Sequence, residues 1–161
     1  MKALDPKILA LLNEVLTAEL TAINQYFVHA EMAENWGYEF RAEKVRKEAM
    51  GEMKHAEKLI ERILYLDGVP NVQRIGVIRI GETVVEQLKS DLALEKDAVV
   101  RLNTGVEACR QIGDNGSRLL LEEILKSEEE HIDWLEAQLA LVAQVGEQNY
   151  LSEQIRKGDG S

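Results

Sequence analysis

The chain has 161 residues, 45% of them hydrophobic, which suffices for one globular domain with a sizeable core and is too apolar for a disordered chain. Its net charge of −10 argues against a nucleic-acid backbone as partner; it suits a protein that attracts cations, or simply one kept soluble. The single cysteine, Cys109, excludes an intrachain disulfide and any cysteine-based zinc or iron–sulfur site, and no apolar run approaches a membrane span.

Aromatic residues at 5% and only two prolines favour helices over a β-sandwich. Asp5-Pro6 opens the first predicted helix, with Asp as N-cap and Pro at the first helical position. Leu9, Leu12, Leu16, Ile23 and Phe27 form its apolar stripe, and Trp36-Gly37 ends it after Asn35. A second helix runs from Tyr38 to Leu66 and is stopped by the Asp67-Gly68-Val69-Pro70-Asn71 segment. The stretch to Gly81 has no helical pattern and reads as a long crossover, which parallel helices require. The third helix spans Glu82 to Ile112, and Gly113-Asp114-Asn115-Gly116 makes a turn. The fourth runs from Ser117 to Val145, Gly146 breaks it, and Glu147 to Arg156 forms a short fifth. Residues 1–157 read as one domain, an all-α four-helix bundle, and 158–161 as a flexible tail.

Two motifs carry the chemistry. Glu52-Met53-Lys54-His55 and Glu128-Glu129-Glu130-His131 are both Glu-x-x-His. Glu19 stands 33 residues before Glu52, and Glu95 stands 33 residues before Glu128. Residues three apart share a helix face, so each motif aims a carboxylate and an imidazole the same way. One Glu-x-x-His is a weak signal in an acidic chain; two at matched spacing, each with a lone Glu, form the ligand set known from di-iron and di-manganese carboxylate bundles. The repeat also implies an internal pseudo-two-fold symmetry.

Helix phase supports an inward site. At about 100° per residue, His55 falls about 60° from Glu52, and Leu59 and Ile63 fall about 20° to either side of it. Buried carboxylates are costly unless paired or metal-bound. Four carboxylates balance two divalent ions, and mixed oxygen and nitrogen donors suit iron or manganese, with zinc able to compete. Tyr26 lies two turns past Glu19; it reads as a core tyrosine, or as a hydrogen-bond partner or electron donor at the site. Trp134 reads first as core packing. Met53 points about 100° away from Glu52. With Ala49, Met50, Ala56 and Ile60 it is predicted to form a second apolar stripe facing another chain. His29 reads as a structural or surface histidine, and the run from Ser127 to Glu130 as solvated face apart from Glu128.

With these residues, the segments AINQYF (22–27), NWG (35–37), GEMKHAE (51–57), ERILYLDGVPN (61–71), SDLALE (90–95) and EEEHIDWLE (128–136) make the chain resemble the bacterioferritins from about Leu11 to Ile155. A Met between the Glu and His of the first motif separates that family from haem-free ferritins. The resemblance implies a ferritin-like fold and a hollow homo-oligomeric shell of 24 subunits that stores ferric mineral. It implies a ferroxidase centre in which Glu19 and His55 cap one iron, Glu95 and His131 cap the other, and Glu52 and Glu128 bridge them. Fe²⁺ is oxidised there by dioxygen or hydrogen peroxide. Haem b is expected between two subunits with Met53 from each as axial ligand, carrying electrons from a small ferredoxin for iron release.

One departure stands out. Many members carry His and Asp where this chain has Lys47 and Gly51, and those residues bind an extra inner-surface iron; neither Lys47 nor Gly51 serves that way. The N-terminus lacks a signal-peptide pattern, so a cytoplasmic location is expected, with no membrane and no nucleic-acid partner. The rival readings are a rubrerythrin-like di-iron peroxidase without storage, against which the missing Cys-x-x-Cys module counts, and a helical scaffold with accidental Glu-x-x-His pairs.

Overall fold

A computed structural model describes residues 1–156; the expected tail at 158–161 lies outside the described residues. Five helices follow one another: α1 Pro6–Asn35, α2 Glu39–Tyr65, α3 Val84–Ile112, α4 Asn115–Val145 and α5 Glu147–Glu153, with no strand among the described residues. Side chains fix three of the starts. Asp5 accepts from the Lys7 N–H with Pro6 in the first turn, Thr83 accepts from the Glu86 N–H, and Asp114 from the Ser117 N–H. Thr83 therefore starts α3 at Val84 rather than Glu82. Asp114 caps so early that Asn115 and Gly116, expected in a turn, lie in the first turn of α4. Gly113 ends α3 with φ at 90°, a left-handed conformation that glycine adopts without strain. Two smaller differences occur at α2, which begins at Glu39, and at α5, which ends at Glu153 before the expected Arg156.

α1 packs along α2, and α3 along α4. Tyr26 on α1 meets Glu95 on α3, and Gly105 of α3 lies against Leu11 of α1, so α1 and α3 are antiparallel. α2 and α3 thus point the same way, and the chain between them must travel back along the bundle. It does so as an exposed, non-helical crossover, residues 67–83.

That crossover is fastened to α1 at every fourth residue. Asn13 accepts from the Asn71 N–H and donates to the Val69 carbonyl; Thr17 Oγ1 accepts from Arg74 Nε. Thr21 accepts from the Gly76 N–H, Gln25 from the Arg79 N–H, and His29 Nε2 from the Gly81 N–H. On a helix, residues four apart lie nearly one above another, so these five form a polar seam beside an apolar face.

The core is layered. Leu12, Leu16, Leu59, Ile63, Leu102 and Leu121 belong to the largest apolar cluster. Tyr26, Ala30, Val45 and Ala49 form a second, and Val84, Leu88, Leu135 and Tyr150 a third. The fully buried leucines each contribute about 1.5–3 kcal/mol relative to exposure. α5 closes one end: Tyr150 is buried, its hydroxyl donates to Gln138 Oε1, and the Gln154 carbonyl accepts from the Phe40 N–H.

Candidate metal centre

Buried carboxylates interrupt the apolar interior on all four long helices. Glu19 follows Leu16 on α1, Glu52 precedes Ala56 on α2, and Glu95 and Glu128 come from the middles of α3 and α4. All four carboxylates and His131 are buried, and His55 is partly buried. Their donor atoms form two groups, Glu19–Glu52–His55–Glu128 and Glu52–Glu95–Glu128–His131, each within 4.8 Å across. Glu52 and Glu128 belong to both.

His55 Nδ1 lies 3.2 Å from Glu128 Oε1, 3.4 Å from Glu52 Oε2 and 3.5 Å from Glu19 Oε2. His131 Nδ1 lies 3.4 Å from Glu95 Oε1 and 3.6 Å from Glu48 Oε2. Glu19 Oε2, Glu95 Oε2, Glu128 Oε1 and His131 Nδ1 are buried without a hydrogen-bond partner. Buried polar atoms are rarely left so, and orphans clustered on one point fit cations. The donors, oxygen with one imidazole in each group, fit divalent first-row metals.

Proton affinities follow from the crowding. Burial, reinforced by Glu128, pushes Glu95 up to about 8. Burial likewise raises Glu52 and Glu128. Burial alone would lower His55, but the Glu128 and Glu52 carboxylates beside it carry it up to about 9. His131 behaves the same way, lowered by burial and raised by Glu95 to about 9. Protons and cations would therefore compete for the same side chains.

Tyr26 is fully buried and its hydroxyl donates to Glu95 Oε1. Burial, then the Glu95 and Asp91 carboxylates, hold it well above the ordinary phenol range. Its ring meets His131 edge-on with centroids 5.4 Å apart. Of the two sequence readings of Tyr26, the structure puts it both in the core and against the site. Trp134 stacks on His131 at 6.1 Å, with Lys44 over its outer side at 4.9 Å, so it packs against a site residue as well.

Met53 is 43% exposed on the outer side of α2, and Met50 and Phe27 are exposed as well. Ala49 and Ala56, expected on the same outward stripe, are buried inside the bundle instead. The close approach of α1 to α2 takes up those small residues. Phe27, expected on the buried stripe of α1, faces outward. Lys47 is exposed, and a Cβ on Gly51 would meet nothing within 4 Å.

His29 is structural. Its Nε2 accepts from Gly81, which leaves the ring proton on Nδ1, 2.9 Å from buried Asp91. Gln25 Nε2 donates to the same Asp91 oxygen. Sequence reading missed this seam, although Asn13, Thr17, Thr21, Gln25 and His29 recur at a spacing of four.

A cavity of about 590 Å³ lies between α1, α3 and the crossover. Its floor is Glu19, Glu52, Glu95 and Glu128. No helix among the described residues is long and apolar enough to cross a membrane.

Bundle and site together define a ferritin-like helical carboxylate protein, and the ferritin-like domain family matches residues 9–145. A bacterioferritin of Mycobacterium leprae is 54% identical over 149 residues, covering 92% of this chain and 94% of that one. One from Streptomyces coelicolor is 47% identical over 153 residues, 95% of this chain and 92% of the other. The solved bacterioferritin of Mycobacterium tuberculosis superposes with a TM-score of 0.95 at 51% identity, over 97% of this chain and 98% of that one. The chain belongs to the bacterioferritin family.

Proposed function

We propose that the chain takes up Fe²⁺, oxidises it at the six-residue centre and stores the ferric product inside a homo-oligomeric shell. The observation that carries this is the pair of overlapping four-donor groups sharing Glu52 and Glu128. In this reading Glu19 and His55 hold one iron, Glu95 and His131 the other, and Glu52 and Glu128 lie between them. Bound iron supplies the one-electron redox chemistry that carboxylates and imidazoles lack.

The chain's own residues bind, orient and manage protons. Glu95 and both histidines release protons as they ligate, because their surroundings raise their proton affinity. Tyr26 orients Glu95 through its hydroxyl and keeps its own proton at Oη. It is also the proposed electron donor at the site; two Fe²⁺ supply the two electrons that take dioxygen to hydrogen peroxide, or hydrogen peroxide to water. The apolar layers on either side restrict bulk water to the cavity.

Haem b is proposed between two copies of the chain, with Met53 from each as axial ligand. A soft thioether exposed on the outer side of α2, with Met50 also exposed one turn away, supports it. When bound, haem carries electrons for iron release, and a small ferredoxin is the proposed source. A 24-subunit shell, a cytoplasmic location and a single folding unit over 1–157 complete the reading; the family membership supports the shell.

Rapid mixing of metal-free protein with Fe²⁺ tests the centre. A fast oxidation phase is expected at about two irons per chain. Glu95→Ala or His131→Ala is expected to slow it at least about tenfold while assembly, read by native mass, persists. Parent rates in both variants would mean that the centre lies elsewhere.

A further inference from the structure

The sequence has nine arginines, and among the described residues three of them have neither a carboxylate nor a side-chain amide as partner. Arg46, Arg62, Arg110, Arg118 and Arg156 each hold a carboxylate, and Arg41 donates to the amide oxygen of Gln87. The remaining three, Arg74 and Arg79 on the crossover and Arg101 on α3, all line the one cavity above the carboxylate floor. Of these three, only Arg74 makes a side-chain hydrogen bond among the described residues, a 3.4 Å contact to Thr17. Glu14 and Asp97 line the same cavity, yet neither pairs with an arginine.

We propose that the mouth of this cavity binds a small free oxyanion of the phosphate class, held by Arg74, Arg79 and Arg101. Guanidinium groups present planar forks of donors that match phosphate oxygens two at a time. Three such guanidinium groups line one space, and none of them is paired with a carboxylate among the described residues, so they form a receptor with its charge unspent. Glu14 and Asp97 in the same lining set the ligand's size. An extended acidic surface would lie against Glu14 and Asp97 and be repelled; a single tetrahedral anion reaches the arginines alone. The floor sets its depth, because four carboxylates exclude an anion from the centre and leave it at the mouth. A consequence that rests on the proposed function is that the bound anion offsets the cationic rim in the path of incoming Fe²⁺.

The test uses chelator-treated, full-length protein titrated with inorganic phosphate by calorimetry and ³¹P line broadening. One phosphate per chain is expected in the parent. The triple variant Arg74→Gln, Arg79→Gln, Arg101→Gln is expected to bind at least tenfold more weakly. A control triple, Lys2→Gln, Lys89→Gln, Lys126→Gln, removes the same charge from exposed lysines and is expected to bind as the parent does. Glu95→Ala is also expected to bind phosphate, which separates this site from any anion carried on metal at the centre. Absence of binding in the parent, equal weakening in the lysine control, or loss of binding in Glu95→Ala would each overturn the proposal. Since no iron is present, failure of the oxidation experiment leaves this one intact, and the reverse also holds.

Discussion

Glu52 and Met53 are adjacent in the chain and face different surroundings. One carboxylate is buried among three others, and the neighbouring thioether lies at the outer surface. A helix rotates about 100° per residue, so a single step carries the chain from proposed metal ligand to proposed haem ligand. The two roles are therefore separable by substitution. Met53→Leu keeps volume and apolarity, so packing should change by less than about 1.5 kcal/mol. The purified variant is expected to lack the Soret absorption band while retaining its assembly and its fast phase of iron oxidation. Haem retained in full by Met53→Leu would remove Met53 from the axial position. Tyr26 shows what one-dimensional reading leaves open. Its spacing from Glu19 allows either packing or chemistry, and only its contact with Glu95, 69 positions away, puts it against the site.

Among the elements, the crossover is the one whose course depends most on side chains. It has no helical hydrogen bonds of its own, and its backbone polar groups must find partners or water. Thr21, Gln25 and His29 provide partners for Gly76, Arg79 and Gly81, and Asp91 of α3 locks Gln25 and His29 in place. Thr21→Val removes one fastening without changing shape. The expected loss is about 1 kcal/mol, read as amide exchange at Gly76 faster by about fivefold, with the fold retained. His29→Leu leaves the Gly81 N–H unpaired and Asp91 short of a partner in a buried place. It is expected to lower stability by about 2–3 kcal/mol in denaturant unfolding. Exchange at Gly76 and Gly81 indifferent to both changes would mean that the seam does not hold the crossover. The caps at Asp5, Thr83 and Asp114 behave differently, since each reaches a backbone amide only two or three residues away, and the Asp5 cap is legible from sequence.

On the scale of the whole molecule, the bundle accommodates four carboxylates and two histidines across its middle, and its stability must depend on what neutralises them. In the metal-free fold His55 and His131 sit at about 9 against an ordinary 6.5, and Glu95 at about 8 against 4.5. The folded state binds these protons more tightly than the unfolded state does. The histidine contribution is thus fully present below about pH 6.5 and lost as pH rises through about 9; the Glu95 contribution is lost between about pH 4.5 and 8. The melting temperature of chelator-treated protein is expected to fall steadily from pH 6.5 to 9. Divalent metal is expected to raise it more at pH 8 than at pH 6, because fewer protons then compete for the ligands. A flat profile in the metal-free protein would show that the site is not protonated as described.

The sequence by itself determined the helices, the Asp5 cap and the matched spacing that singles out the six residues. These depend on helical periodicity, on reach within one turn and on a spacing repeated twice, all of which are local. It also determined that Met53 points away from Glu52. Tertiary structure alone decided the rest. Helix rotation and close approach made Glu52 and Glu128 common to both donor groups, buried Ala49 and Ala56, and turned Phe27 outward. The path of the crossover brought Arg74 and Arg79 to the same cavity as Arg101. These pairings join residues tens of positions apart, and packing between elements, which no local pattern encodes, sets their distances.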